Sequence, residues 1–78
     1  MATEQEIIQA IADHLTLSPE DIEKDASLRE DLSLGGVELN DLLNALALKF
    51  DIIFSPDDVE NLQTVEDLVS LIEDNLIE

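Results

Sequence analysis

The chain has 78 residues and a formal net charge of −17, because 20 acidic residues stand against three basic ones. A chain of this length makes one domain, here residues 1–78, with a modest core. Such an acidic surface repels nucleic acid and anionic membranes and attracts basic partners, or it simply keeps a small domain soluble. The chain has no cysteine, so no disulfide framework is expected.

No targeting or membrane segment is expected from the sequence. The start, Met1-Ala2-Thr3-Glu4, has neither the basic residues nor the apolar stretch of a signal peptide. No apolar run reaches the length that spans a bilayer. We therefore predict a soluble cytoplasmic protein, and we expect a monomer.

The first half of the chain predicts one helix and a long loop. A helix from Thr3 to Leu15 has apolar residues at helical spacing, and Thr3 with Glu6 forms a capping box. A loop over 16–34 follows, in which Ser18-Pro19-Glu20-Asp21 predicts a brief helical turn with a capping serine. Loops of this length inside compact domains are unusual and often functional.

Three further helices are predicted in the second half. The second runs from Gly35, its N-cap, to Phe50, and a short third, capped by Ser55, runs through Leu62. Thr64 caps the fourth. We predict an all-α fold, a small antiparallel four-helix bundle of three main helices and a short third one. Its predicted core comprises Ile8, Ile11, Leu15, Leu28, Leu39, Leu42, Leu46, Phe50, Leu62, Leu68 and Ile72.

Several short segments, none specific alone, follow one another at a characteristic spacing. They are Ser18-Pro19-Glu20-Asp21-Ile22, Ala26-Ser27-Leu28, Glu30-Asp31-Leu32, Phe50-Asp51-Ile52, Pro56-Asp57-Asp58 and Thr64-Val65-Glu66-Asp67-Leu68-Val69. Together they resemble acyl carrier proteins over nearly the whole chain. The resemblance implies a 4′-phosphopantetheine arm, which a phosphopantetheinyl transferase moves from coenzyme A to a serine. It also implies partner enzymes with basic docking patches that process an acyl or peptidyl thioester.

The serine that this resemblance requires is absent. Without gaps, the family's Asp-Ser-Leu signature falls on Gly35-Gly36-Val37, and glycine has no hydroxyl. A second register resembles the Leu-Gly-Gly-x-Ser-Leu signature of peptidyl carrier domains and places Glu38 at the serine position. Neither register supplies a hydroxyl, so the attachment motif is a variant.

Ser33 is the candidate attachment residue, because it provides the nearby hydroxyl just before the second helix. The alternative interpretation makes Ser33 an ordinary loop or capping serine beside a glycine pair. Gly35 and Gly36 have two interpretations as well. They give a tight turn into the helix, or they allow close approach by a partner or by the arm itself.

The resemblance implies that the second helix docks partner enzymes through exposed acids and apolar side chains. Glu38, Asp41 and Leu48 are the candidate docking residues. Polar Asn40 and Asn44 stand where a typical carrier has apolar contacts, and acids are missing from the end of the helix. His14, without cysteine or a second histidine, predicts a solvated or helix-capping side chain rather than a metal ligand.

Two functions of different classes follow from the sequence. The first is a discrete acyl or peptidyl carrier for fatty-acid, polyketide or nonribosomal peptide synthesis, with a variant attachment site. The second is a carrier-fold interaction module that receives no arm and acts by docking on a partner enzyme. No nucleophile, base and metal constellation is visible, so we predict that the chain is not an enzyme.

Overall fold

The computed structural model describes residues 3–76, and these form helices and loops in the predicted all-α arrangement. The elements are α1, Glu4–Leu15; a 3₁₀ turn, Pro19–Asp21; α2, Gly36–Phe50; α3, Pro56–Glu60; and α4, Val65–Leu76. Met1 and Ala2, half of the segment used to predict the absence of a signal peptide, lie outside the described residues. Within residues 3–76, no helix has the length and apolar character needed to cross a membrane.

Helix α1 packs against both α2 and α4. The last turn of α1 meets the first half of α2, where His14 contacts Asp41. Lys49, in the last turn of α2, shares a surface cleft with Thr3 and Gln9 at the other end of α1. The two helices therefore run antiparallel, as the sequence predicts for this pair.

Three of the predicted helix caps form as hydrogen bonds. The hydroxyls of Thr3, Ser55 and Thr64 each accept a hydrogen bond at 3.2 Å from the backbone N–H three residues on. Asp67 completes the box at α4, since its carboxylate accepts from the N–H of Thr64 at 3.1 Å. The prediction that Ser18 caps is wrong, because its side chain makes no capping bond at the 3₁₀ turn.

The core follows the predicted stripe on α2 and a shifted stripe on α1. Ile7 and Ile11 are fully buried one turn apart, and this places Ile8 at the edge of the buried face rather than at its centre. The predicted core residues Ile8, Leu15 and Phe50 are half-buried and pack against the core. The buried residues are Ile7, Ala10, Ile11, Ala12, Ile22, Leu28, Leu34, Leu39, Leu42, Leu43, Leu46, Leu62, Val65, Leu68, Val69 and Ile72.

The third helix is shorter than predicted, and the long loop is more ordered than its length suggests. Helix α3 ends at Glu60, and the chain then turns so that buried Leu62 donates its N–H to Val59. The loop is fixed to the start of α4, because Leu28 N–H donates to the Gln63 carbonyl at 2.9 Å. Since Leu34 is also buried, the loop delivers the chain to α2 at a fixed place.

Lys24 links the loop to both terminal helices. Its ammonium forms an ion pair with Glu4, and its carbonyl accepts the N–H of Glu66 at 2.9 Å. The hydrogen bond to Glu4, then the charge of Glu4 and more weakly those of Glu66 and Glu73, raise the pKa of Lys24 above its ordinary 10.5. The pair therefore stabilises the fold below that ordinary value, and the contribution is lost as the pH rises through the raised pKa.

We expect Lys24→Gln to lower the melting temperature at neutral pH and to have no effect in buffer alkaline enough to deprotonate Lys24. The reason is that deprotonation removes the same charge that the substitution removes. Thermal unfolding of both proteins across this range measures the difference. Lys49→Gln is the matched control, because Lys49 forms none of the ion pairs described for residues 3–76. A deficit that persists at alkaline pH would show that packing, not charge, is responsible.

Candidate attachment site and docking face

Helix α2 begins without a side-chain cap. Gly35 is the N-cap and has extended backbone, with φ −76° and ψ −179°, and it has no side chain to accept a hydrogen bond. The first helical hydrogen bond runs from Leu39 N–H to the Gly35 carbonyl at 2.9 Å. The N–H groups of Gly36, Val37 and Glu38 therefore have no acceptor within the helix, and such groups favour an anion.

Space is available at Gly36, where the gap-free register predicts the family's serine, although the hydroxyl is absent. Gly36 is exposed, and a Cβ atom built on it would have no neighbouring atom within 4 Å. A side chain would therefore fit at this position. Gly36 itself offers no nucleophile, so it does not fit a phosphodiester-linked arm.

Glu38 folds back over the start of α2. A Cβ atom on Gly35 would lie 2.5 Å from Glu38 Oε1, so this carboxylate occupies the space that the missing side chain leaves. Negative charge in the first turn of a helix is stabilising. Glu38, which the second register places at the serine position, thus lies in the first turn as predicted and carries an acid instead of a hydroxyl.

Ser33 is exposed and lies two residues before the N-cap. Its φ of 57° places it in the left-handed region, which is uncommon for serine. This conformation turns the chain so that the N–H of buried Leu34 donates to the Leu28 carbonyl at 3.0 Å. Since Gly35 is the N-cap, Ser33 does not cap α2. Strained backbone of this kind is concentrated at functional sites and tight turns.

The candidate docking residues lie at the surface of α2. Glu38 and Asp41 are exposed, and Leu48 is 85% exposed. Sequence reasoning missed Val37, which is 79% exposed and lies one turn before Asp41. The signal was present, because residues four apart share one face of a helix.

His14 contacts one of the candidate docking residues. Its Nε2 lies 3.1 Å from Asp41 Oδ2. The prediction of a solvated or capping histidine is therefore incomplete, because the side chain is partly exposed but pairs with a carboxylate. Among the residues that the structure describes, no group of three or more His, Asp and Glu side chains is placed to hold a metal ion.

A groove of about 520 Å³ lies between α2 and α3, and sequence reasoning missed it. The connector after α2 closes one side, where Ile53 is 85% exposed. The wall is mainly apolar, so the groove suits an apolar group rather than a charged one. It is lined by Asn40, Leu43, Asn44, Ala47, Ile52, Ile53, Phe54, Pro56, Val59 and Glu60.

Residues 5–72 match the family model described as a phosphopantetheine attachment site. The chain belongs to the acyl carrier protein family. Relatives named acyl carrier protein include one from Chlamydia trachomatis serovar D, 38% identical over 74 residues, which span 95% of this chain and 96% of the relative. Others come from Chlamydia muridarum, 35% identical over 95% and 96% of the two chains, and Sulfurovum sp., 32% identical over 94% and 97%.

Membership of this family confirms the predicted resemblance. Its model describes attachment of phosphopantetheine, so 4′-phosphopantetheine is the group that goes with this fold. The family consists of carriers rather than catalysts, which agrees with the prediction that the chain is not an enzyme. Gly36, the first residue of α2, does not fit the arm because it has no hydroxyl. Ser33, in the loop just before the helix, has an exposed hydroxyl, the group to which such an arm is joined.

Proposed function

We propose that this chain is a discrete acyl or peptidyl carrier whose 4′-phosphopantetheine arm is attached to Ser33. When bound, the arm supplies a thiol that holds a chain as a thioester for fatty-acid, polyketide or nonribosomal peptide synthesis. The observation that carries the proposal is the exposed hydroxyl of Ser33 at the end of a fixed loop, just before the open N–H groups of α2. Those N–H groups favour a phosphate beside them.

The proposed partners follow from the family and the charge. They are a phosphopantetheinyl transferase and acyl- or peptide-processing enzymes with basic docking patches, because a net charge of −17 attracts basic surfaces. The chain acts as a cytoplasmic monomer in this proposal, and nucleic acid and membranes are not partners. Glu38, Asp41 and Leu48 form the docking face.

One observation favours a second function. In the gap-free register the family's attachment serine falls on Gly36, which has room for a side chain but no nucleophile. A carrier fold that is never modified would act by docking on an enzyme that normally binds carriers. The two functions differ in one measurable property, the intact mass after incubation with coenzyme A and a broad-specificity transferase. A mass gain supports the carrier, and no gain with any transferase supports the docking module.

Docking is expected to depend on the acids of α2. Glu38→Lys and Asp41→Lys, made as two separate variants, should each slow association with a basic partner by about tenfold at low salt, with a smaller effect on dissociation. The reason is that surface charges steer diffusional encounter, and salt screens them. Surface plasmon resonance with an immobilised transferase measures both rates.

The matched control reverses the charge of Asp74, an exposed acid on α4. Asp74→Lys changes the net charge but leaves α2 intact, so it should slow association less than either α2 variant. Equal effects at all three positions would mean that net charge alone matters. Affinity independent of salt would exclude α2 as an electrostatic docking face.

A further inference from the structure

The contact between His14 and Asp41 connects the end of α1 to the proposed docking face. His14 Nε2 lies 3.1 Å from Asp41 Oδ2, and the two side chains are 29% and 75% exposed. Asp41 is therefore open to a partner while one of its oxygens faces the imidazole. His14 lies in the last turn of α1, where the helix dipole favours a positive charge.

His14 differs in residue type from every other ionisable side chain of the chain. It is the single histidine in the chain, and there is no cysteine. Histidine is the side chain that ordinarily changes charge between about pH 5 and pH 8, whereas carboxylates are already ionised there. The one side chain of this type in the chain therefore lies directly beside Asp41.

We propose that the proton on His14 regulates docking at Asp41, so that a basic partner associates more slowly when the imidazole is charged. This inference rests on the proposed docking role of Asp41. The Nε2–H group donates to the carboxylate in the charged imidazole and in one neutral tautomer, so the contact itself can persist. Protonation adds a positive charge next to Asp41, which offsets the negative charge that a basic partner would meet.

The charged groups nearest to His14 along α1 and on the facing part of α2 are acids, and the basic side chains of Lys24 and Lys49 lie against the earlier turns of α1. Asp13 precedes it on α1, and Glu38 lies one turn before Asp41 on α2. Lys49 lines a cleft with Asp13. From the 3₁₀ turn, Glu20 packs beside Gln5 and Gln9, in the first half of α1. On α4, Glu66 and Glu73 act on Lys24, which pairs with Glu4 at the start of α1. Among the acids of residues 3–76, Asp41 is the one that the structure places in direct contact with His14.

The test compares wild type with His14→Gln, which can keep a donor to Asp41 but cannot titrate. The probe is an immobilised broad-specificity phosphopantetheinyl transferase, and the measured quantity is the association rate at low salt. Between about pH 8 and about pH 6 we expect wild type to slow by roughly two- to fivefold more than His14→Gln, the range of one surface ion pair. The partner's own titration cancels, because the same transferase meets both proteins.

A second pair of variants separates this inference from the proposed function. In the Asp41→Asn background, adding His14→Gln should change the pH profile less than it does in wild type, because the carboxylate that the charged imidazole offsets is gone. If Asp41→Lys slows association at about pH 8 but wild type and His14→Gln have the same pH profile, the proton switch is wrong and the docking face stands. If Asp41→Lys has no effect, the docking face itself is wrong.

Discussion

Ser33→Ala is expected to abolish the mass gain that wild type shows with coenzyme A and a transferase, while Gly36→Ser is expected to create a second attachment site. The first change removes the hydroxyl that the proposal requires. The second places a hydroxyl where a side chain meets no atom within 4 Å. Intact-mass spectrometry measures both results, and peptide mapping assigns the modified residue.

The local geometry gives the reasons for both expectations. A phosphate on Ser33 would lie about one turn before the usual place, near the N–H groups of Gly35 and Gly36, which have no side chains of their own. The Glu38 carboxylate beside Gly35 would have to turn away to admit it. A phosphate on Gly36→Ser would lie at the first residue of α2, where the unpaired N–H groups are closest.

Two controls make the result decisive. Gly36→Ala introduces a Cβ without a hydroxyl, so it should gain no second arm and should show whether a side chain alone disturbs the site. Circular dichroism should show that Ser33→Ala remains folded, because Ser33 is exposed and caps no helix. If wild type gains no mass with any transferase while Gly36→Ser does, Ser33 is not an anchor. The unmodified docking module then replaces the carrier proposal.

The starts of α1, α3 and α4 could be predicted because they depend on local chemistry. Thr3, Ser55 and Thr64 each bond to an N–H three residues on, so a short stretch of sequence contains the whole cap. Which residues of α1 are buried was harder to predict from the sequence. Ile7 and Ile8 are adjacent isoleucines, and which of them faces the core depends on how α1 lies against α2 and α4.

The site could be predicted only in part, because its details are tertiary. The sequence indicated that Ser33 precedes α2, but not its left-handed backbone, which turns the chain so that Leu34 can bond to Leu28. The contact of His14 with Asp41 joins residues 27 positions apart, so no local pattern reveals it. The groove between α2 and α3 likewise forms only when the connector after α2 folds beside it.

Leu46→Ala is expected to lower the free energy of unfolding by about 2–5 kcal/mol. Leu46 is 1% exposed on α2, so removing its side chain loses buried apolar contacts and leaves a cavity in the core. Small domains are stable by only about 5–15 kcal/mol, so this loss removes a large part of the total. Urea unfolding followed by circular dichroism measures it, at an ionic strength high enough to screen repulsion among the acids.

Leu48→Ala is the matched control, since it makes the same chemical change two residues along the same helix. Leu48 is 85% exposed, so its truncation should change the unfolding free energy by no more than about 0.5 kcal/mol. A loss below about 0.5 kcal/mol for Leu46→Ala would reject the orientation of α2. A large loss for Leu48→Ala would remove this residue from the docking face, because a side chain that stabilises the fold by burial is not free to meet a partner. The pair of variants thus tests with one measurement which face of α2 is core and which is surface.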